Sequence, residues 1–133
     1  MNIMINDTQN QSYQIAVKVE TQYIVEQSSP EESRYVFAYT IKICNQGETP
    51  ARLINRHWII TDGDGGVEEV RGRGVVGEQP SIEPGGEYQY TSGTVLKTPV
   101  GTMEGSYGMQ AESGEQFDAR INAFSLAVPN QIH

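Results

Sequence analysis

The sequence has little cysteine and little histidine. Cys44 is the only cysteine, and there are two histidines among 133 residues. A lone cysteine excludes an intrachain disulfide and a metal cluster held by several cysteines. A tetrahedral zinc site built from the nitrogen and sulfur ligands of one chain is likewise not expected. The sequence therefore predicts neither a bound metal nor a cofactor.

Positive charge and long apolar runs are also scarce. Nine Lys and Arg residues stand against 17 Asp and Glu, for a net charge of -8. Such a chain repels phosphate backbones, so we expect no nucleic-acid partner. No apolar run approaches the ~20 residues that span a bilayer. Residues 1–11 lack the charged and apolar regions of a signal peptide, so we expect a cytoplasmic protein without a membrane partner.

Sustained helical periodicity is missing as well, and apolar residues alternate with a period of two. This alternation predicts an all-β domain, an immunoglobulin/fibronectin-III-like β-sandwich of about seven strands, with a closed barrel as the alternative. We predict a flexible N-terminal segment at 1–12, a single domain at 13–128 and a C-terminal tail at 129–133. The predicted strands are 13–20, 35–44, 52–61, 67–76, 87–91, 103–112 and 117–128.

The third predicted strand contains the only tryptophan. Both faces of residues 52–61 carry apolar groups, which is typical of a central strand. Trp58 is predicted to lie in the core, because sandwich domains often bury a tryptophan on a central strand. Since successive side chains of a strand point to opposite faces, His57 should point away from Arg56 and Trp58. We assign His57 a structural role, with Arg56 and His57 as interaction residues in the alternative.

The stretch RGRGVVGEQP contains Gly72, Gly74 and Gly77 in the spacing G-x-G-x-x-G. In dinucleotide-binding folds this fingerprint depends on a helix whose N-terminal amides meet the pyrophosphate. Here Pro80 and Pro84 follow, with two further glycines, so a helix cannot form. Two interpretations remain. The glycines either allow a bent strand to pack closely, or form a phosphate-binding loop flanked by Arg71 and Arg73.

No motif in the chain predicts catalysis. His57 lacks a local nucleophile and an orienting partner, and GSYG at 105–108 is not the G-x-S-x-G elbow of serine hydrolases. The DGDGG stretch at 62–66 resembles the start of a calcium loop, but Arg73 occupies the position of the required glutamate. This stretch is therefore interpreted as a turn, and the chain is not predicted to be an enzyme.

Several blocks resemble the ApaG (CorD) family, and the likeness is collinear from about residue 13 to residue 126. The most specific are RHWIITDGDG and EEVRGRGVVGEQPSIEPGGEYQYTSG, accompanied by YTIKICNQG, TPVGTMEGSYGM and FDARINAFSL. The resemblance implies a fibronectin-III-like β-sandwich and a bacterial protein associated with cobalt resistance and magnesium efflux. It also implies a gene beside that of diadenosine tetraphosphate hydrolase.

The functional content of this resemblance is limited. Similar eukaryotic domains occur in F-box proteins and in a polymerase-interacting protein, where they look like protein-interaction modules. The family has no accepted catalytic residues to carry over. Its glycine motif has been proposed to bind pyrophosphate, and that proposal corresponds here to Gly72, Gly74 and Gly77.

Two functional hypotheses follow from these observations. The first is a non-enzymatic module that binds an unidentified protein partner and is associated with divalent-cation physiology. The second is a module that binds pyrophosphate-containing nucleotides through the Gly-rich loop, with Arg71 and Arg73 at its sides. The sequence leaves open whether the chain forms a homodimer.

Overall fold

The computed structural model describes residues 13–129, which form eight β-strands and two short 3-10 turns. The strands are β1 (Ile15–Tyr23), β2 (Tyr35–Asn45), β3 (Ala51–Asp62), β4 (Val67–Arg73), β5 (Ser81–Ile82), β6 (Glu87–Leu96), β7 (Val100–Ala111) and β8 (Gln116–Ala127). The turns at Val25–Gln27 and Pro30–Glu32 lie between β1 and β2. Over this range no helix has the length and apolar character needed to cross a membrane.

The strands form two antiparallel sheets that pack face to face. The smaller sheet has the order β1-β2-β6, and the larger has the order β4-β3-β7-β8 with β5 paired beside β4 on β3. The predicted sandwich is thus confirmed, with eight strands rather than about seven. The predicted segment 1–12 and residues 130–133 of the predicted tail lie outside the described residues.

Buried and partly exposed residues alternate along β2, and the buried ones form one side of the core. Phe37, Tyr39, Ile41 and Ile43 are all buried, whereas the residues between them are partly exposed. β2 has this heavy inner face because it is the central strand of the smaller sheet, flanked by β1 and β6. The aromatic face predicted from the sequence is therefore the inner face of the sandwich.

β3 is central in the larger sheet, as predicted, because it pairs with β4 on one side and with β7 on the other. Its register with β7 shifts between Leu53 and Asn55. Before this bulge the buried positions are Ala51 and Leu53; after it they are Trp58 and Ile60. The bulge inserts one residue and so changes which alternate positions face inward. The sequence pattern places apolar residues on both faces of β3 partly because the inward-facing positions change from odd to even numbers at the bulge.

Trp58 occupies the middle of the core, with 2% of its surface exposed. Its ring lies edge-on to those of Tyr39 and Phe124, with centroids at 5.4 and 5.9 Å. Tyr107 follows at 6.4 Å in a similar orientation. Such edge-to-face arrangements place the positive edge of one ring against the negative face of another. The predicted core position of Trp58 is confirmed.

Several strand boundaries differ from the prediction, and one short strand, β5, was not predicted. β4 ends at Arg73 rather than at 76, and β6 continues to Leu96 rather than ending at 91. β5 has two residues, too few for any periodic signal. It is instead held by contacts distant in sequence, because the buried Asn45 side chain donates to the carbonyl oxygen of Ile82 at 2.8 Å.

Two tyrosine hydroxyls meet between the sheets. The Tyr90 and Tyr107 oxygens are 2.5 Å apart, and both side chains are buried. Burial raises the pKa of Tyr90 to about 12 and raises the pKa of Tyr107 as well. Both groups are therefore neutral up to at least pH 10. One hydroxyl donates a hydrogen bond to the other in a region where an unpaired hydroxyl would be costly.

This pair predicts an alkaline limit to stability. Both pKa values lie above the ordinary value of 10.0, so the stabilisation is complete below pH 10 and is lost as pH rises towards 12. Each tyrosine should lower the free energy of unfolding by about 1.4 kcal/mol per pH unit in that window. Denaturant unfolding between pH 7 and 11.5 measures this slope.

Tyr107→Phe removes one hydroxyl of this pair and so tests its contribution to stability. It should destabilise the protein by about 1 kcal/mol at pH 7, because the Tyr90 hydroxyl loses its partner. It should also make the alkaline slope shallower by about 1.4 kcal/mol per pH unit, and adding Tyr90→Phe should reduce the slope further. Profiles for the wild type and Tyr107→Phe that run parallel above pH 10 would contradict this account.

Candidate functional site

Gly74 to Gln79, here called the glycine-rich hairpin, follow β4 without forming a helix. Val75 and Glu78 exchange two backbone hydrogen bonds of 2.8 and 2.9 Å, so Val76 and Gly77 form a two-residue connection. Both have positive φ, 42° and 83° respectively. This combination is characteristic of a type I′ turn. The expectation of an extended segment to 76 is wrong, because the chain reverses at Val76 and Gly77.

The hairpin is attached to the bulge of β3. The carbonyl oxygen of Ile54 accepts the N–H of Gly74 at 2.8 Å and the side-chain amide of Gln79 at 2.8 Å. Between them, the Val75 side chain is fully buried in the core. The amides of Gly74 and Val75 are therefore directed at protein carbonyls. These two amides would therefore not hold a phosphate at this hairpin.

Arg56 forms hydrogen bonds to the backbone where β4 ends and the hairpin begins. Its Nη1 donates to the carbonyl oxygens of Arg73 at 3.1 Å and Gly74 at 2.8 Å. The guanidinium lies over Gly72, where a Cβ atom would come within 2.6 Å of it. Gly72 thus provides the space in which Arg56 reaches these carbonyls. Arg56, predicted as an alternative interaction residue, is half-buried and partly engaged within the protein.

His57 lies on the opposite face of β3 from Trp58, as the strand pattern predicts. Its Nε2 is 2.8 Å from Glu69 Oε2 on β4, and Arg71 Nη2 is 3.5 Å from the same carboxylate oxygen. Glu69 was not predicted as a partner of His57. The sequence predicts a turn at 62–66 between two strands, and the antiparallel pairing of these strands brings Glu69 close to His57.

A shallow depression of about 540 Å³ lies over this part of β3 and β4. Four basic residues line it: Arg56, His57, Arg71 and Arg73. Arg71 is largely exposed. The depression gathers three of the nine Lys and Arg residues of an otherwise acidic chain. The structure thus brings together all the predicted arginines and His57, and places Gly72 beside them.

The tip of the hairpin presents an apolar side chain on a strained backbone. Val76 is 57% exposed and has a φ of 42°. A β-branched residue at positive φ is an outlier, since its side chain clashes with the backbone there. This turn was not predicted, because Val-Gly is not among the dipeptides that favour two-residue hairpins.

The other candidate motifs have structural explanations. Asp62 Oδ1 accepts the N–H groups of Asp64 and Gly66, each at 2.9 Å, so DGDGG is the turn between β3 and β4 that the sequence predicted. Across residues 13–129, no three His, Cys, Asp or Glu side chains are grouped so that they could hold a metal ion.

Comparison with known proteins places these features in a family. The ApaG domain profile matches residues 25–111. Protein ApaG of Pseudomonas aeruginosa PAO1 is 59% identical over 129 residues, covering 97% of this chain and 100% of the relative. Protein ApaG of Aromatoleum aromaticum is 56% identical over 126 residues, covering 95% and 99%.

A solved structure agrees with this likeness. The crystal structure described as the putative ApaA protein from Bordetella pertussis has a TM-score of 0.87 and 52% identity to this chain. The alignment covers 89% of this chain and 96% of that one. The resemblance found in the sequence blocks is thereby confirmed. The chain belongs to the ApaG family.

Proposed function

We propose that this ApaG-family domain is a non-enzymatic protein-interaction module whose partner binds the tip of the glycine-rich hairpin. The observation that carries the proposal is the exposed Val76 side chain on a backbone with positive φ. A conformation of this kind costs on the order of 1–3 kcal/mol. The folded core gains nothing from Val76, because its side chain projects outward.

The hairpin is suited to binding because it is held rigidly. The hydrogen bonds to Ile54 and the buried Val75 side chain fix both ends of the turn. A surface already in its bound conformation loses little conformational entropy on association. Val76 can therefore act as an anchor that enters an apolar pocket of a partner, as interface hot spots do.

Charge near the hairpin limits the kind of partner. Arg71 and Arg73 precede the tip on β4, and the depression they line is basic. An apolar pocket bordered by acidic side chains would complement this surface. The partner we propose is accordingly a protein with such a pocket.

The non-enzymatic character of the module is supported by the surroundings of His57. Its ring nitrogen contacts Glu69, and no serine or cysteine nucleophile is hydrogen-bonded to it within residues 13–129. The cation physiology that the family resemblance implies is proposed to act through the protein partner. No direct metal ligation by this chain is needed for it.

Val76→Asn separates binding from folding. Asparagine tolerates positive φ far better than valine, so the variant should be more stable by about 1 kcal/mol. The partner recovered by the immobilised wild-type domain should bind the variant at least about tenfold more weakly, because the apolar anchor is lost. Thermal unfolding and isothermal titration with the purified partner measure the two effects.

Val25→Asn is the matched control, since Val25 is 69% exposed in the 3-10 turn before β2. It should leave the affinity unchanged. Equal affinities of Val76→Asn and the wild type would refute the hairpin tip as the anchor. Failure of the wild type to retain any protein across a range of salt and divalent-cation concentrations would refute the module itself.

A second candidate function is favoured by the basic depression on β3 and β4. We propose as the alternative that Arg71 and Arg73 bind the pyrophosphate group of a nucleotide. Guanidinium groups form bidentate hydrogen bonds with phosphate oxygens, and Arg71 is exposed enough to do so. His57 lines the same depression. Side chains rather than the Gly74 and Val75 amides would make the contacts.

Titration with inorganic pyrophosphate and ADP, followed by NMR, tests this alternative. Resonances of His57, Arg71 and Arg73 should shift, with little change at the Gly74 and Val75 amides. Replacing both arginines, Arg71→Ala and Arg73→Ala, should weaken binding at least about tenfold, since each removes a charge-assisted hydrogen bond.

Arg120→Ala is the control for this titration, because Arg120 lies on β8 and is ion-paired with Glu104, as Arg71 is with Glu69. It should behave as the wild type does. Unchanged spectra at millimolar pyrophosphate, or equal weakening by Arg120→Ala, would rule out the site.

A further inference from the structure

β6 is an edge strand without the usual protection. It pairs with β2 alone and ends the smaller sheet. From Tyr88 to Leu96 it contains no charged residue and no proline. Its register with β2 continues without a shift from Glu87 to Leu96, so no bulge interrupts it. A long, regular, uncharged edge is a template for pairing with another strand.

The other edge strands differ from β6 in this respect. Apart from β5, which has only two residues, each carries charges within the strand, and these hinder the approach of a further strand. These charged residues are Lys18 and Glu20 on β1, Glu68, Glu69, Arg71 and Arg73 on β4, and Asp118 and Arg120 on β8. A long edge without charge is therefore specific to β6 in the described domain.

The ladder with β2 indicates which backbone groups of β6 are available. The carbonyl oxygen of Gly86 accepts the N–H of Asn45, so it points towards β2. Backbone groups alternate in direction along an antiparallel strand. The backbone N–H and C=O groups of Gln89, Thr91 and Gly93 therefore point away from β2, towards the open edge.

We propose that β6 pairs with β6 of a second copy of this chain, antiparallel about a two-fold axis at Ser92. The two smaller sheets then form one continuous sheet of six strands. Gly93 lies opposite Thr91 of the partner subunit, and Val95 lies opposite Gln89 of the partner subunit. This dimer uses a surface distinct from the hairpin tip and does not depend on the function proposed above.

The charges at the two ends of β6 favour one register of pairing, and they favour a second copy of this chain as the partner. Glu87 begins the strand and Lys97 follows its last residue. In the proposed register Glu87 lies opposite Lys97 of the partner subunit, and the symmetry repeats the pair at the other end. A two-fold interface must be self-complementary in this way. A register shifted by one residue would misalign the outward-pointing backbone groups, and one shifted further would separate the charges.

The pairing also covers an exposed apolar residue. Val95 is 48% exposed on the outer face of the smaller sheet. In the dimer it packs beside Gln89 of the partner subunit, since directly opposed side chains in a sheet lie about 5 Å apart. Thr91 and Gly93 carry no charge, so the centre of the interface is without electrostatic repulsion.

Analytical ultracentrifugation from 1 µM to 1 mM tests the dimer. The wild type should shift from monomer to dimer with concentration. Lys97→Glu should raise the dimer dissociation constant about tenfold, because it places two like-charged pairs at the interface. Lys18→Glu, on the far edge strand β1, makes the same charge change and should leave the constant unaltered.

A charge exchange distinguishes the register from a general electrostatic effect. Glu87→Lys alone should also weaken the dimer. This change also removes the 3.7 Å contact between Lys42 and Glu87 within each copy. Combining it with Lys97→Glu restores opposite charges across the interface, and the dissociation constant should recover most of the way. A double variant weaker than both single variants would overturn the register.

A distance measurement tests the geometry. Cys44 is the only cysteine, lies opposite Glu87 on β2 and is half-exposed. Nitroxide labels on Cys44 of the two copies should be about 35 Å apart, given three strand spacings across the sheet and ten residues along it. Pulsed dipolar spectroscopy should show this distance. A protein that stays monomeric to 1 mM, or a dimer with a clearly different distance, would overturn the proposal.

Discussion

The carbonyl oxygen of Ile54, at the bulge of β3, is the point to which the glycine-rich hairpin is attached. It accepts one hydrogen bond from the Gly74 amide and one from the Gln79 side chain, while the Leu53 amide donates to the carbonyl oxygen of Pro80. Because the bulge interrupts the ladder of β3, it provides a place where a neighbouring segment can bind. The position of the tip and the path of the Arg56 side chain both depend on this attachment.

The attachment explains how the hairpin can hold an unfavourable conformation. Val76 at positive φ would relax in a loose loop, but Val75 is locked in the core and Glu78 is paired with it. Strain of this kind persists only where the surrounding structure determines it. The same rigidity makes the tip a defined binding surface, and the adjacent arginines add charge to it. The motif G-x-G-x-x-G therefore has a structural role in this fold whether or not a phosphate binds beside it.

Local patterns predicted much of the fold. The alternation in 35–44 specified the inner face of β2, and the prolines after Gly77 excluded a helix there. β5 and the hairpin were not predictable in the same way, because both depend on contacts between distant segments. Asn45 holds Ile82, and Ile54 holds Gly74. The candidate site was predicted as a set of residues, but its geometry was not, since the direction of the Gly74 and Val75 amides follows from those long-range contacts.

Comparing Gly74→Ala with Gly77→Ala in denaturant unfolding tests the structural role of the hairpin most directly. A Cβ at Gly74 would lie 2.2 Å from the backbone oxygen of Glu78, whereas one at Gly77 would meet nothing within 4 Å. Both glycines have positive φ, so each substitution carries about 1–2 kcal/mol of backbone strain. The account predicts that Gly77→Ala costs little more than this and that Gly74→Ala costs at least about 3 kcal/mol. Equal losses for the two variants would contradict it.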